Sequence, residues 1–249
     1  MSASPSTASV GHVVGMWRYP VKSMGAEPLL EADVTWHGIA GDRRWAFVRD
    51  EAAHGGFPWL TLRQRPDLHH YRPCFSDPSR PNASPTVVRR PNGSEIDVTD
   101  PRLAEELYPA GLRLIRQDRG VFDVFPLSLI TTQTIRELGT LVGSELDPQR
   151  FRPNLLVEAT EDAPFAEDEW VGRELRIGTT RVRIDKRDSR CVVITIDPTT
   201  TERDPAILRT VAQHREGCLG VYGSIVTPGR VCVDDAVYLG EPGLAGGTA

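Results

Sequence analysis

Short apolar stretches separated by glycine and proline set the pattern of this chain. Val13-Val14-Gly15-Met16-Trp17-Arg18-Tyr19 predicts a first strand, which Pro20 ends, with a turn at residues 21–25. Residues 29–36 predict a second strand, and His37-Gly38-Ile39-Ala40-Gly41 is a glycine-punctuated turn. Residues 43–49 form a third, in which Trp45 and Phe47 alternate against Arg44, Ala46 and Val48. Residues 59–62 are a short fourth. From 63 to 100 the pattern is broken by Pro66, Pro73, Pro78, Pro81, Pro85 and Pro91. Within it, residues 86–90 and 95–98 read as a hairpin around Pro91-Asn92-Gly93-Ser94.

Helical signals are few. Asp100-Pro101 is an N-cap followed by proline in the first turn, opening a helix to residue 108. Residues 125–130 lead toward another helix. Thr131 or Thr132 is its candidate cap, and Ile135, Leu138, Leu141 and Val142 share one face. Pro153 bars a helix at residues 151–157, which read as a strand leaving a polar loop. Residues 174–178 and 182–184 alternate as strands. Asp204-Pro205 repeats the capping signal, with a helix to about residue 215. Residues 219–226, 230–233 and 236–239 are late strands. The predicted class is β-rich α+β. A small N-terminal β-barrel-like domain (residues 11–110) precedes a larger C-terminal β-barrel (residues 111–240) with a few short helices. Residues 1–10 and 241–249 are expected to be disordered tails.

A chain of 249 residues accommodates one large or two small domains. A net charge of −5 gives no global attraction to nucleic acid or anionic lipid, so an anion site must be local. Cys74, Cys191, Cys218 and Cys232 form no C-x-x-C pair, which argues against a zinc cluster and for reduced thiols in a cytoplasmic protein. No apolar run approaches membrane-spanning length, and the Ser/Ala/Thr-rich start is no secretory signal. Histidine metal motifs, phosphate-binding glycine loops and nucleophile elbows are absent.

The chemistry-bearing stretch is Arg187-Asp188-Ser189-Arg190-Cys191-Val192-Val193-Ile194-Thr195-Ile196-Asp197-Pro198. It reads as a basic loop feeding a buried strand, with Cys191 at the junction. Lys186, Arg187 and Arg190 favour a thiolate, while Asp185 and Asp188 partly offset them. A small buried core thiol is the alternative. Lys22 and Ser23 sit in a tight turn suited to an anion, or to a solvated lysine. Arg43 offers a bidentate phosphate contact, or a surface ion pair. Arg152 and Asn154 flank Pro153 and suit a heterocycle edge, an anion or loop hydrogen bonds. Ser189 and Arg190 are equally open.

Taken in order, Tyr19-Pro20-Val21-Lys22-Ser23, Gly41-Asp42-Arg43-Arg44-Trp45, Phe151-Arg152-Pro153-Asn154, Ser189-Arg190-Cys191 with Thr195 and Asp197-Pro198, and Val233-Asp234-Asp235-Ala236-Val237-Tyr238 resemble the MOSC family with its N-terminal β-barrel domain. The resemblance spans residues 13–239. It implies binding of the molybdenum cofactor (molybdenum on molybdopterin), with Cys191 as the thiolate ligand to the metal. It implies cofactor contacts from Lys22, Ser23, Arg43, Arg152, Asn154, Ser189 and Arg190. Thr131 and Thr132 fall where relatives use a hydroxyl-bearing residue. The scattered cations would meet at one phosphate between the domains, and the proline-rich 63–100 segment would border the substrate entrance.

The implied activity is that of a molybdenum oxidoreductase reducing N-hydroxylated substrates, N–OH to N–H plus water. Electrons would come from separate flavin, haem or iron–sulfur proteins. Asp197, acidic and close in sequence, is the candidate proton donor. The alternatives are a non-catalytic carrier of the cofactor or of sulfur using Cys191, and a metal-free protein with Cys191 as nucleophile.

Overall fold

The computed structural model describes residues 9–242. The N-terminal part carries β1 (Ser9–Arg18), β2 (Glu27–Pro28), β3 (Glu31–Thr35), β4 (Gly38–Ile39) and β5 (Trp45–Arg49). It continues with β6 (Arg72–Phe75), β7 (Thr86–Arg89), β8 (Glu95–Asp97), α1 (Pro101–Leu107) and β9 (Leu112–Arg116). Then follow β10 (Leu127–Thr131), α2 (Thr132–Val142), β11 (Leu155–Ala159), β12 (Arg173–Ile177) and β13 (Thr180–Ser189). The chain closes with α3 (Pro205–Arg215), β14 (Cys218–Thr227), β15 (Gly229–Cys232) and β16 (Ala236–Pro242). The β-rich class stands. Among the described residues no helix is long and apolar enough to cross a membrane.

Seven strands close a barrel in the order β1, β11, β10, β14, β13, β12, β16 and back to β1. Closure pairs every edge of this sheet, leaving no free ladder. Only the β10–β11 pairing within it is parallel. Val13, Met16, Leu129, Leu155, Leu175, Ile184, Val221 and Val237 fill the interior as one cluster. The barrel therefore includes β1, which comes from the N-terminal side of the division at residue 110. Residues 9, 10, 241 and 242, expected in tails, belong to β1 and β16. Residues 1–8 and 243–249 lie outside the described residues.

Beside the barrel, β5 pairs with β9, and β6, β7 and β8 form a three-stranded sheet. The expected hairpin is β7–β8. Val21, Met24, Phe47, Leu60, Leu62, Leu68 and Leu103 are among the residues of a separate N-terminal core. The expected strand at 59–62 is reduced to a bridge between Val48 and Trp59. There the Thr61 carbonyl accepts from the amides of Gln64 and Arg65, which turns the chain instead. All three helix caps are as read: Asp100, Thr131 and Asp204 accept from backbone N–H groups of the first turn.

Two elements differ from the sequence expectation. The segment read as approaching a helix is β10, whose five residues are all buried. A strand covered on both faces shows a continuous apolar run, not the alternation that identifies a half-exposed one. The β-branched run after Cys191 is not a strand either. The strand is β13, ending at Ser189, and Val192–Thr195 is a 3-10 turn. Its side chains are divided between cores. Ile194 packs with Ile135, Leu138, Ile207 and Val211 beneath α2 and α3, while Ile196 enters the N-terminal core. Burial in two directions outweighs β-propensity here, and it fixes the turn that presents Cys191.

This division predicts a contrast. Ile196 is fully buried, whereas Val192 is 37% exposed. Ile196→Ala is expected to lose about 2–4 kcal/mol of stability in urea unfolding, and Val192→Ala under about 1 kcal/mol. Equal losses would contradict the anchoring role of Ile196.

Candidate functional site

The backbone between β1 and β5 is zipped together. The amides of Arg43, Trp45 and Lys22 donate to the carbonyls of Tyr19, Pro20 and Trp45 at 2.7, 3.0 and 2.8 Å. This brings Lys22 and Arg43 to one place although 20 residues separate them in sequence. Ser23, Arg43 and Arg152 have φ of 68°, 48° and 54°, three of the seven non-glycine residues with positive φ among the described residues. Each such conformation costs about 1–2 kcal/mol and persists only where surrounding contacts enforce it. All three line one cavity of about 440 Å³.

The enforcing contacts centre on Asp42, a buried carboxylate. Its Oδ1 accepts from the Tyr19 amide at 2.7 Å, and its Oδ2 accepts from Asn154 Nδ2 at 3.0 Å and from Arg43 Nη1. Asn154 in turn donates to the Trp17 carbonyl and accepts from the Ser128 amide. Tyr19 is the platform for two like charges. The guanidinium carbons of Arg43 and Arg152 lie 4.6 and 4.2 Å from its ring centroid, within the range where ring quadrupoles attract cations. The Tyr19 hydroxyl donates to the Pro153 carbonyl, and burial pushes its phenol up to about 12.

Lys22, Ser23, Arg43, Arg152, Asn154, Ser189, Arg190 and Cys191 all line this cavity, so eight predicted residues from four segments are brought together. Six cations line it against two carboxylates, a locally positive site on an acidic chain. Four of the cations have carboxylate partners: Lys22 with Asp123 at 2.6 Å, Arg43 with Asp42, Arg150 with Asp197 at 2.8 Å and Arg190 with Asp188 at 3.0 Å. Arg152 and Arg63 have none among the described residues. Arg152 Nη1 donates to the Met24 carbonyl, but its buried Nη2 lacks a partner. Burial pulls this guanidinium down to about 10, with the Arg43 charge adding to the effect. Burial likewise lowers Lys22, with Asp123 opposing.

Cys191 is a half-buried free thiol. Arg190 immobilises the chain on its N-terminal side. Its amide donates to Gly217, and its side chain to the carbonyls of Leu219 and Phe151 at 2.7 and 2.9 Å. Arg190 thereby ties the cysteine turn to β14 and to the Arg-Pro-Asn loop. Asp188 and Tyr222 also line the cavity. Burial raises the Asp188 carboxyl, and burial with the Asp188 charge raises the Tyr222 phenol.

Three predicted residues lie elsewhere. Thr131 is buried, its hydroxyl capping α2 at the Thr134 amide and donating to Glu167 Oε2 at 2.8 Å. Thr132 lines a separate hollow beside α2. Asp197, the candidate proton donor, is outside the lining. Its carboxylate accepts from the amides of Thr199 and Thr200 and from Arg150 Nη2, all at 2.8 Å. Burial would raise it, but these donors outweigh burial and hold it below the usual carboxylate range. Of the 63–100 segment only Arg63 reaches the cavity. Phe57, Arg63, Asp123, Arg150 and Tyr222 also line it, although none of them lies within a motif that marks it as a site residue. Arg150, two residues before Arg152, is the one that proximity to a motif points to.

Residues 117–238 match the MOSC domain, and residues 10–103 match the MOSC N-terminal beta barrel domain. Human mitochondrial amidoxime-reducing component 1 is 24% identical over 291 aligned positions, covering 92% of this chain and 83% of the relative. Molybdenum cofactor sulfurase of Anopheles gambiae is 27% identical, covering 86% of this chain and 34% of that protein. Among solved structures, the YuaD protein of Bacillus subtilis aligns with a TM-score of 0.50 at 14% identity, covering 92% of this chain and 95% of that one. That likeness is one of fold.

Two predictions follow from the buried polar groups. Asp42→Ala leaves Arg43 without its counter-charge, and urea unfolding is expected to show a loss of about 3–5 kcal/mol. A loss under about 1 kcal/mol, the value of a surface pair, would contradict the central place of Asp42. The second concerns His69, which is buried with Nε2 unpartnered. Burial, then the charges of Arg152, His70 and Arg150, pull its imidazole from 6.5 down to about 3. Between these values the unfolded chain binds a proton that the folded chain excludes, so stability falls as pH drops from 6.5. Between pH 7.5 and 5.0 wild type is expected to lose about 2 kcal/mol more than His69→Gln. Identical pH dependence in the two proteins would refute the assignment.

Proposed function

Since the chain belongs to the MOSC domain family, we propose that it binds the molybdenum cofactor and reduces N-hydroxylated compounds, taking electrons from a separate flavin, haem or iron–sulfur protein. The observation that carries this reading is a half-buried thiol in a cavity with six cations, of which half-buried Arg152 has no counter-charge and a buried Nη2 without a partner. The donor set fits the group. A soft thiolate suits molybdenum, and an unmatched guanidinium suits a pterin phosphate. The relatives named as amidoxime-reducing components and cofactor sulfurase support the same reading.

Cys191 would hold the metal, with its turn fixed by Arg190 and Ile194. Arg152, Arg43 and Lys22 would hold the phosphate, the Tyr19 ring keeping the two guanidiniums together before any anion arrives. Ser23 and Asn154 would border the pterin, the second already committed to Asp42. When bound, the cofactor supplies the two-electron chemistry that turns N–OH into N–H plus water. The protons are assigned to the Tyr222 hydroxyl, which lines the cavity where Asp197 does not, and to solvent water. A phenol held up by burial keeps its proton near neutral pH until a developing base takes it.

Protein purified from a host that makes the cofactor is expected to carry about one molybdenum and one pterin per chain, and to reduce benzamidoxime with a chemical reductant. Cys191→Ala is expected to abolish turnover and lower bound molybdenum. Absence of molybdenum from loaded wild type would sink the proposal, and molybdenum without reduction would favour the carrier reading. Tyr222→Phe is expected to lower kcat about ten- to a hundredfold with molybdenum content retained. Unchanged kcat would remove Tyr222 from the proton path.

A further inference from the structure

The two cations without carboxylate partners differ in position. Arg152 is half-buried against Tyr19, whereas Arg63 is exposed. The Arg63 backbone is pinned: its amide donates to Thr61 Oγ1 and its carbonyl accepts from Arg203 Nη2 at 3.1 Å. Its guanidinium makes no hydrogen bond or ion pair among the described residues and lies 5.1 Å from the ring centroid of Phe57. Phe57 is 39% exposed and lines the cavity together with Leu62 and Val193, which pack in the N-terminal core. Asp123, the exposed carboxylate of the lining, is committed to Lys22 at 2.6 Å. The Phe57 ring, with the planar Arg63 guanidinium over it and Lys22 Nζ 6.0 Å from its centroid, is thus left at the cavity's exposed side. A planar ring stacks on an aromatic ring or on a guanidinium plane, and a carboxylate satisfies the guanidinium fork in bidentate fashion.

We propose that Phe57 and Arg63 form a substrate subsite that selects flat N-hydroxylated compounds carrying a carboxylate at the end remote from the N–OH group. The inference rests on the reductase reading for its substrate class. It also answers a problem set by the net charge of −5, which disfavours anionic substrates at a distance and leaves their capture to a local cation. Arg63 is a binding residue in this scheme and takes no part in the reduction. Two electrons from the reductant and two protons convert C=N–OH to C=N–H and water, with the carboxylate unchanged.

The test compares benzamidoxime with 4-carboxybenzamidoxime on the molybdenum-loaded protein with reduced viologen, rates being normalised to molybdenum content. Wild type is expected to favour the carboxylate in kcat/KM by about tenfold, expressed in KM. Arg63→Gln is expected to bring the ratio to about one, Arg63→Lys to keep part of it, and added salt to lower it in wild type. Calorimetric binding of the two products, 4-carboxybenzamidine and benzamidine, is expected to give the same ratios. A preference that is absent from wild type, or unchanged in Arg63→Gln, would overturn the proposal. So would a ratio unchanged while molybdenum content falls in Arg63→Gln, which would place Arg63 on the cofactor. If loaded wild type reduces neither oxime, the reductase reading fails, and the calorimetric ratios alone decide the role of Arg63.

Discussion

The buried carboxylate of Asp42 holds together segments that sequence keeps far apart. It bonds the amide of Tyr19, 23 positions before it, and the side chain of Asn154, 112 positions after it. It also neutralises Arg43 beside it. An ion pair this buried repays its desolvation only when its remaining lone pairs are satisfied, and here they are. From this one group follow the direction of the Arg-Pro-Asn loop, the exit of β1 and the position of both guanidiniums on Tyr19. The left-handed backbone at Arg43 and Arg152 is tolerated because these contacts leave the chain no relaxed alternative.

Around that centre the cations are sorted by what neutralises them. Lys22, Arg43, Arg150 and Arg190 are paired within the protein, and the last two also serve as backbone clamps. Arg152 and Arg63 are left over, one half-buried with a buried Nη2 and one exposed. A fold stabilised by ion pairs alone has no reason to bury an unmatched guanidinium whose proton affinity is depressed. A site built to accept an anion does, because the anion supplies the missing charge on arrival.

Much of this was legible in the sequence, but unevenly. The caps at Asp100, Thr131 and Asp204 are local hydrogen-bonding signals, and they appear where read. The eight cavity residues drawn from motifs depend on tertiary closure, yet the motifs carried them because each holds its own turn or cap chemistry. β10 carries no strand signal of its own, because a strand buried on both faces has no period to detect. The Cys191 turn has the sequence of a strand, because its β-branched residues serve two cores and no ladder. Asp197 is close to Cys191 in sequence, but the chain bends away and the carboxylate caps a turn. Phe57, Arg63 and Tyr222 carried no local signal at all. They reach the cavity from a loop and a barrel strand whose positions depend on the whole fold.

On the proposed reading, Cys191 bonds a metal held at this cavity. X-ray absorption at the molybdenum edge, on loaded wild type and on Cys191→Ser, tests it most directly. The expected result is a metal with one fewer sulfur neighbour in the serine variant. An unchanged sulfur count in a variant that still holds molybdenum would contradict it, leaving Cys191 as a thiol of the wall and not a ligand.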